Sequence, residues 1–80
     1  MMGEKISLND MNAGETGKVV ELIGGWAMQN RLSSMGIRPG VEITRVNPAL
    51  GRGPVVINAG GTQTALGFGM SYKIIVEVEK

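Results

Sequence analysis

The stretch RLSSMGIRPGVEI, residues 31–43, combines a helix end, a tight turn and the start of a strand. Met28, Leu32 and Met35 are spaced as i, i+4 and i+7, which predicts a short helix with one apolar face. Gly36 follows that face and is the expected C-terminal cap, because glycine readily adopts the left-handed backbone conformation found there. The stretch therefore predicts one short helix that ends at a defined position.

The chain reversal after this helix is predicted to be a type II turn at Arg38-Pro39-Gly40. Proline suits position i+1 of such a turn, and glycine suits position i+2, where φ is positive. We therefore expect Gly36, Pro39 and Gly40 to be structural turn residues, with a strand starting at Val41.

Short strand patterns surround the helix on both sides. Ile6 and Leu8 alternate with polar residues and weakly indicate an edge strand, while Gly60 and Gly61 predict a two-residue hairpin turn. The stronger strand patterns lie at residues 16–23, 41–47, 55–59, 62–66 and 73–80.

The same patterns predict the core and the connections. Alternation within residues 16–23 places Val19 and Ile23 together on one face. Residues 48–54, PALGRGP, are expected to form a loop, and residues 67–72, GFGMSY, an irregular segment or one helical turn. The side chains predicted to be mostly buried are Val19, Ile23, Leu32, Val41, Ile43, Ile57, Leu66, Ile74, Val76 and Val78.

The order of these elements predicts a mainly β fold. Eighty residues suit one domain, so residues 1–80 are expected to fold as a single unit. Five to six short strands with one inserted helix favour a small β-barrel, because closure of a sheet removes its exposed edges.

The residue types that most enzymes and metal sites use are missing. The sequence contains no histidine and no cysteine, which excludes Cys–His and Ser–His catalysis and removes the usual ligands of zinc and ferrous iron. A Ser–Lys pair is formally possible, but no spacing supports it. Residues 13–19, AGETGKV, are not a P-loop, because the two glycines are too close and Val19 follows Lys18. We therefore expect no enzymatic activity, no cofactor and no metal site.

The charge distribution argues against nucleic acid as a partner. The sequence contains eight Lys and Arg residues and seven Asp and Glu residues, for a net charge of +1, and the basic residues are scattered along it. A nucleic-acid binder normally concentrates positive charge to neutralise phosphates. The sequence also shows no signal-peptide pattern and no apolar run long enough for a membrane span, so we expect a soluble, cytoplasmic protein.

Four segments together resemble the FeoA family, small cytosolic proteins of the prokaryotic ferrous-iron transport system. The resemblance extends from about Leu8 to Val78, and its most specific part is the Arg31-to-Gly40 stretch. The GFGMSY segment departs from the more usual charged helical turn of the family. The segments that carry the resemblance are MNAGETGKVVEL, RLSSMGIRPGVEI, GPVVINAGGTQTAL and IIVEVE.

The resemblance implies a fold and a partner. The fold is an SH3-like β-barrel with a short helix inserted between early strands. The implied partner is FeoB, a membrane transporter with a cytosolic G-protein domain, so contact with the membrane is indirect. The same fold occurs as the C-terminal domain of metal-dependent repressors of the diphtheria-toxin-repressor type, whose DNA-binding and metal-binding domains do not match this sequence.

A small-barrel module that binds nucleic acid or the ribosome is the alternative interpretation. Its glycine-centred turn-and-strand units faintly resemble the AGETGKVVEL segment. Base-stacking surfaces usually carry more aromatic residues than the three present here, Trp26, Phe68 and Tyr72.

The predicted helix, residues 26–35, offers a candidate contact surface. Its apolar face leaves Trp26 and Asn30 on the opposite side, with Arg31 at the border. Because tryptophan and arginine are common in interaction hot spots, we interpret Trp26, Asn30 and Arg31 as candidate partner-binding residues. Alternatively, Trp26 precedes the first helical turn and folds over the open end of the barrel. The oligomeric state stays open.

Overall fold

The computed structural model describes residues 3–48 and 53–79, which form one antiparallel sheet with two short helices and a 3₁₀ turn. The strands follow the order β1-β6-β2-β3-β4-β5 across the sheet. Most of the predicted 48–54 loop lies outside the described residues. The elements are β1 (Gly3–Ser7), the 3₁₀ turn (Leu8–Asp10), β2 (Thr16–Leu22), α1 (Trp26–Ser34), β3 (Glu42–Arg45), β4 (Val55–Ala59), β5 (Thr62–Leu66), α2 (Phe68–Ser71) and β6 (Ile74–Glu79).

The core lies on the inner face of this sheet, where alternate strand residues meet. Eight of the predicted core side chains are fully buried, and Val41 is half-buried against them. The 3₁₀ turn and the chain after it add Leu8 and Met11, which the sequence patterns do not place in the core. The buried apolar residues are Leu8, Met11, Val19, Leu22, Leu32, Ile37, Ile43, Val55, Ile57, Ala59, Leu66, Ile74, Val76 and Val78.

The predicted burial of Ile23 is wrong, because β2 contains a β-bulge. Val19 pairs with Val76 and Glu21 pairs with Ile75, so β2 uses one more residue than its partner over this step. An extra residue reverses the alternation of the strand. Leu22 therefore joins Val19 in the core, and Ile23 lies beyond the end of the strand with 46% of its surface exposed.

Helix α1 ends in a Schellman motif. The amide of Ile37 donates to the carbonyl of Leu32 at 2.9 Å, and the amide of Gly36 donates to the carbonyl of Ser33 at 3.0 Å. Gly36 has φ +84°, as the sequence predicts for the cap. The buried side chains of Leu32 and Ile37 anchor this end of the helix to the core.

The predicted type II turn is present and is fixed to β2. The amide of Val41 donates to the carbonyl of Arg38 at 3.1 Å, and Gly40 has φ +96°. The amide of Gly40 donates to the carbonyl of Val19 at 2.7 Å. The turn is therefore held at a defined distance from the sheet, directly after the end of α1.

The mainly β architecture with an inserted helix is confirmed, but the ladder is not closed. Strands β1 and β5 are the two ends of the sheet, and no backbone pairing joins them within residues 3–48 and 53–79. A side-chain hydrogen bond joins the segments that follow these two strands: the Ser71 hydroxyl of α2 donates to the side-chain oxygen of Asn9 in the 3₁₀ turn. The 3₁₀ turn is thus in contact with α2.

A buried arginine fixes the 3₁₀ turn from the other side. Arg45 is only 3% exposed, and its Nη1 donates to the carbonyls of Asn9 at 2.8 Å and Met11 at 3.2 Å. Its Nε donates to the carbonyl of Asn47 at 2.9 Å. Burial lowers the pKa of Arg45, and the negative charge of Asp10 partly opposes this effect. The guanidinium supplies hydrogen bonds to a segment that has few ladder partners of its own.

Candidate functional site

A groove of about 250 Å³ lies between the outer face of α1 and the type II turn. It brings together Trp26 and Asn30, two of the three candidate partner-binding residues. Arg31, the third candidate, is not among its lining residues. The groove is lined by Leu22, Trp26, Gln29, Asn30, Ser33, Arg38 and Pro39.

The packing of α1 determines which side chains reach this groove. Leu32 is buried, and Met28 and Met35 are half-buried against the core, so the apolar face of the helix points inward. Trp26 is consequently left with 79% of its surface in solvent. The alternative position, folded over the open end of the barrel, is not the one observed.

Most polar side chains around the groove have no side-chain partner among the residues that the structure describes. Asn30, Arg31 and Arg38 make no side-chain hydrogen bond or ion pair with any residue in the part of the chain that the structure describes. Gln29 differs, because its Nε2 donates to the carbonyl of Gly24 at 3.1 Å and secures the start of α1. The unpartnered groups are available to an external ligand, whereas Gln29 has a structural role.

The groove lies in a segment that has no negative charge. From Leu22 to Val41 the only charged residues are Arg31 and Arg38. The first turn of α1 also contains no acidic residue, and its N-cap, Gly25, provides no side-chain hydrogen bond. The unpaired amides of a helix N-terminus carry partial positive charge, so they add to the effect of the two arginines.

The carboxylates are concentrated around a different groove. This second groove, of about 630 Å³, lies where β2, β3 and β6 meet. No cluster of three or more Asp, Glu, His or Cys side chains placed to hold a metal ion occurs within the described ranges. The charged residues that line the second groove are Glu15, Lys18, Glu42, Glu77 and Glu79.

Sequence reasoning misses Arg38 as a site residue. The sequence pattern identifies Arg38 only as the first residue of the turn. Helical periodicity relates residues within α1, so it does not place a turn residue next to Trp26. The available signal is the chain reversal itself, because a tight turn after a helix cap returns the chain to the side of that helix. Arg38, and not Arg31, is therefore the arginine that lines the groove with Trp26 and Asn30.

These features define a class of protein: a small SH3-like β domain with an exposed groove beside an inserted helix. A family model described as the FeoA domain matches residues 6–78. The chain therefore belongs to the FeoA family, whose members are small accessory proteins associated with ferrous iron transport.

Solved structures support this assignment. The crystal structure of an iron uptake regulatory protein (FeoA) is 32% identical, with a TM-score of 0.83 over 94% of this chain and 99% of that chain. A FeoA-like protein from Clostridium acetobutylicum is 25% identical, with a TM-score of 0.82 over 99% of this chain and 92% of that chain.

A more distant structure shares the fold alone. A manganese-dependent transcriptional repressor is 18% identical, with a TM-score of 0.84 over 99% of this chain but only 44% of its own. Sequence comparison with curated proteins finds no match. Neither helix of the described ranges is long and apolar enough to cross a membrane.

Proposed function

We propose that this protein is a non-enzymatic accessory protein of ferrous iron uptake. It acts in the cytoplasm by contact with the cytosolic side of the membrane transporter FeoB, at the G-protein domain or an adjacent cytosolic region. Membership of the FeoA family supports the link to iron transport. Contact, not chemistry, is the proposed mode of action because the sequence lacks histidine and cysteine.

The observation that carries this proposal is the solvent exposure of Trp26. A tryptophan that is 79% exposed costs hydration free energy in the free protein, and that cost is recovered when a partner covers the ring. Trp26 lies beside a groove whose polar groups are mostly unpartnered within the described residues, so one partner segment can contact the ring and the polar groups together.

Co-purification with the cytosolic region of FeoB tests the proposal. Tagged FeoB cytosolic region is incubated with this protein in the presence of GDP, of a non-hydrolysable GTP analogue, or of no nucleotide. We expect retention of the wild-type protein and reduced retention of Trp26→Ala. Tyr72→Ala is the matched control, because Tyr72 is also an exposed aromatic residue, at 61%, but does not line the groove.

Each outcome of this experiment has a distinct meaning. Absence of wild-type retention in all three nucleotide states contradicts the proposed contact. Equal loss for Trp26→Ala and Tyr72→Ala places the contact elsewhere on the molecule. A salt-dependent mobility shift with RNA, in place of retention by FeoB, supports the nucleic-acid alternative.

A further inference from the structure

We infer that the groove beside α1 binds an acidic, partly apolar linear segment of the partner protein, and that Arg38 selects its carboxylates. This inference deepens the proposed function and rests on it for the identity of the partner. The chemistry of the segment follows from the groove itself.

Charge complementarity is the first argument. The groove and the segment around it carry two arginines and no carboxylate, and the uncapped start of α1 adds partial positive charge. The carboxylates Glu15, Glu42, Glu77 and Glu79 line the other groove. Among the described residues that line the groove, Arg38 is the one charged residue, so the groove favours an acidic ligand over a basic one.

The position of Arg38 is the second argument. Its backbone lies in the type II turn, which is fixed to β2 through the hydrogen bond from Gly40 to Val19. The guanidinium has no partner among the described residues, and a planar guanidinium can bind a carboxylate through two parallel hydrogen bonds. A fixed backbone reduces the ordering cost when such a pair forms.

The other residues that line the groove indicate which further groups the bound segment contains. Trp26 and Pro39 present apolar surface beside Arg38, and Asn30 presents an amide. A volume of about 250 Å³ holds a few side chains, not a folded domain. The ligand that matches these walls is an extended or helical segment with at least one carboxylate next to an apolar side chain.

The test uses charge variants of the full chain and two binding probes. The first probe is the FeoB cytosolic region. The second is a pair of synthetic peptides of equal length, one containing alternating Glu and Leu residues and the other alternating Lys and Leu. Emission from Trp26, the only tryptophan, reports contact at the groove with each peptide.

We expect Arg38→Glu to weaken FeoB binding by about tenfold or more, since it replaces an attractive charge by a repulsive one. Arg38→Lys should lie between this variant and the wild type, because lysine keeps the charge but not the planar fork. Lys5→Glu is the matched control: it makes the same change of charge on exposed β1, opposite Glu77. It should alter binding by less than about twofold.

The peptide probes separate failure of the inference from failure of the proposed function. Suppose that the emission of Trp26 changes with the Glu-Leu peptide but not with the Lys-Leu peptide, and that Arg38→Glu abolishes the change. This result supports binding of an acidic segment in the groove even if FeoB does not bind. Binding of FeoB with no effect from Arg38→Glu, and no response to the Glu-Leu peptide, overturns the inference but not the proposed contact. Self-association that both Arg38→Glu and Glu42→Lys dissolve would make a second copy the occupant and also overturn it.

Discussion

The buried arginine of β3 and the exposed arginine of the type II turn differ in what their guanidinium groups contact. Arg45 donates to backbone carbonyls within and directly after the 3₁₀ turn and to the carbonyl of Asn47, and 3% of its surface is exposed. Arg38 is exposed and has no side-chain partner within the described residues. Arg45 thus supplies hydrogen bonds to backbone carbonyls that pair with no neighbouring strand in the described part of the chain, whereas the guanidinium of Arg38 is available to an external ligand.

The two arginines belong to two regions of the molecule, one that stabilises the fold and one that is the candidate contact surface. Groups that hold the fold together lie around the 3₁₀ turn, α2 and β3, while the candidate contact groups lie on α1 and the turn. Substitutions of the buried or hydrogen-bonded side chains in the first region should therefore affect unfolding, and substitutions of the exposed side chains Trp26 and Arg38 in the second should affect binding. Four experiments test this difference between the two regions.

Arg45→Met should reduce the free energy of unfolding by about 3 kcal/mol or more, because it leaves several buried or half-buried carbonyls without a donor. Urea denaturation followed by circular dichroism measures the change. Arg45→Lys is the control and should recover part of the loss, since an ammonium can satisfy some of these acceptors. A loss below about 1 kcal/mol for Arg45→Met would show that water replaces the guanidinium at little cost.

Gly36→Val and Gly40→Val should each cost about 1–3 kcal/mol, because valine is strained at the positive φ of both positions. Gly69→Ala is the control: Gly69 does not have a positive φ, and open space surrounds the position that a Cβ would take, so the effect should be small. Gly40→Val should also weaken partner binding, since it disturbs the turn that holds Arg38. Wild-type unfolding midpoints in both valine variants would contradict the backbone argument.

Trp26→Ala should leave the free energy of unfolding within about 0.5 kcal/mol of the wild type, because the ring is exposed. It should weaken binding to the FeoB cytosolic region by about tenfold or more. Thermal melts and the co-purification assay measure the two effects on the same samples. Blue-shifted emission in the free protein, together with a large loss of stability, would instead make Trp26 a core residue.

The smallest expected effect is that of ferrous iron on the isolated protein. We predict no tight, specific site, because imidazole and thiolate ligands are absent from the sequence. Anaerobic calorimetry with Fe²⁺ measures this directly. A one-to-one site of micromolar affinity or tighter would contradict the prediction and would direct attention to the carboxylates around the second groove.

Elements with local signals could be predicted from the sequence. The cap at Gly36, the type II turn at Gly40 and the hairpin at Gly60-Gly61 each depend on a positive φ that only nearby residues determine. The pairing of β4 with β5 follows from that hairpin. These signals are sufficient to place the helix and the hairpin along the chain.

Features that depend on distant contacts could not be predicted in the same way. The bulge that exposes Ile23 arises from the pairing of β2 with β6, and the backbone at the buried residues Leu8 and Met11 is hydrogen-bonded by Arg45. Arg38 joins the groove only after the turn is folded. In each case the deciding partner lies far along the sequence, where periodicity carries no information.

The pairing of β1 with β6 has a consequence for the order of folding. Gly3 is opposite Glu79 and Ile6 is opposite Val76, so the first strand completes its ladder only with the last. Strand β6 also separates β1 from β2 in the sheet. A nascent chain emerges from the ribosome N-terminus first, and contacts of high sequence separation form slowly. Strand β1 therefore remains unpaired until β6 is in place, whereas the β3–β5 meander pairs only strands that are neighbours in the sequence.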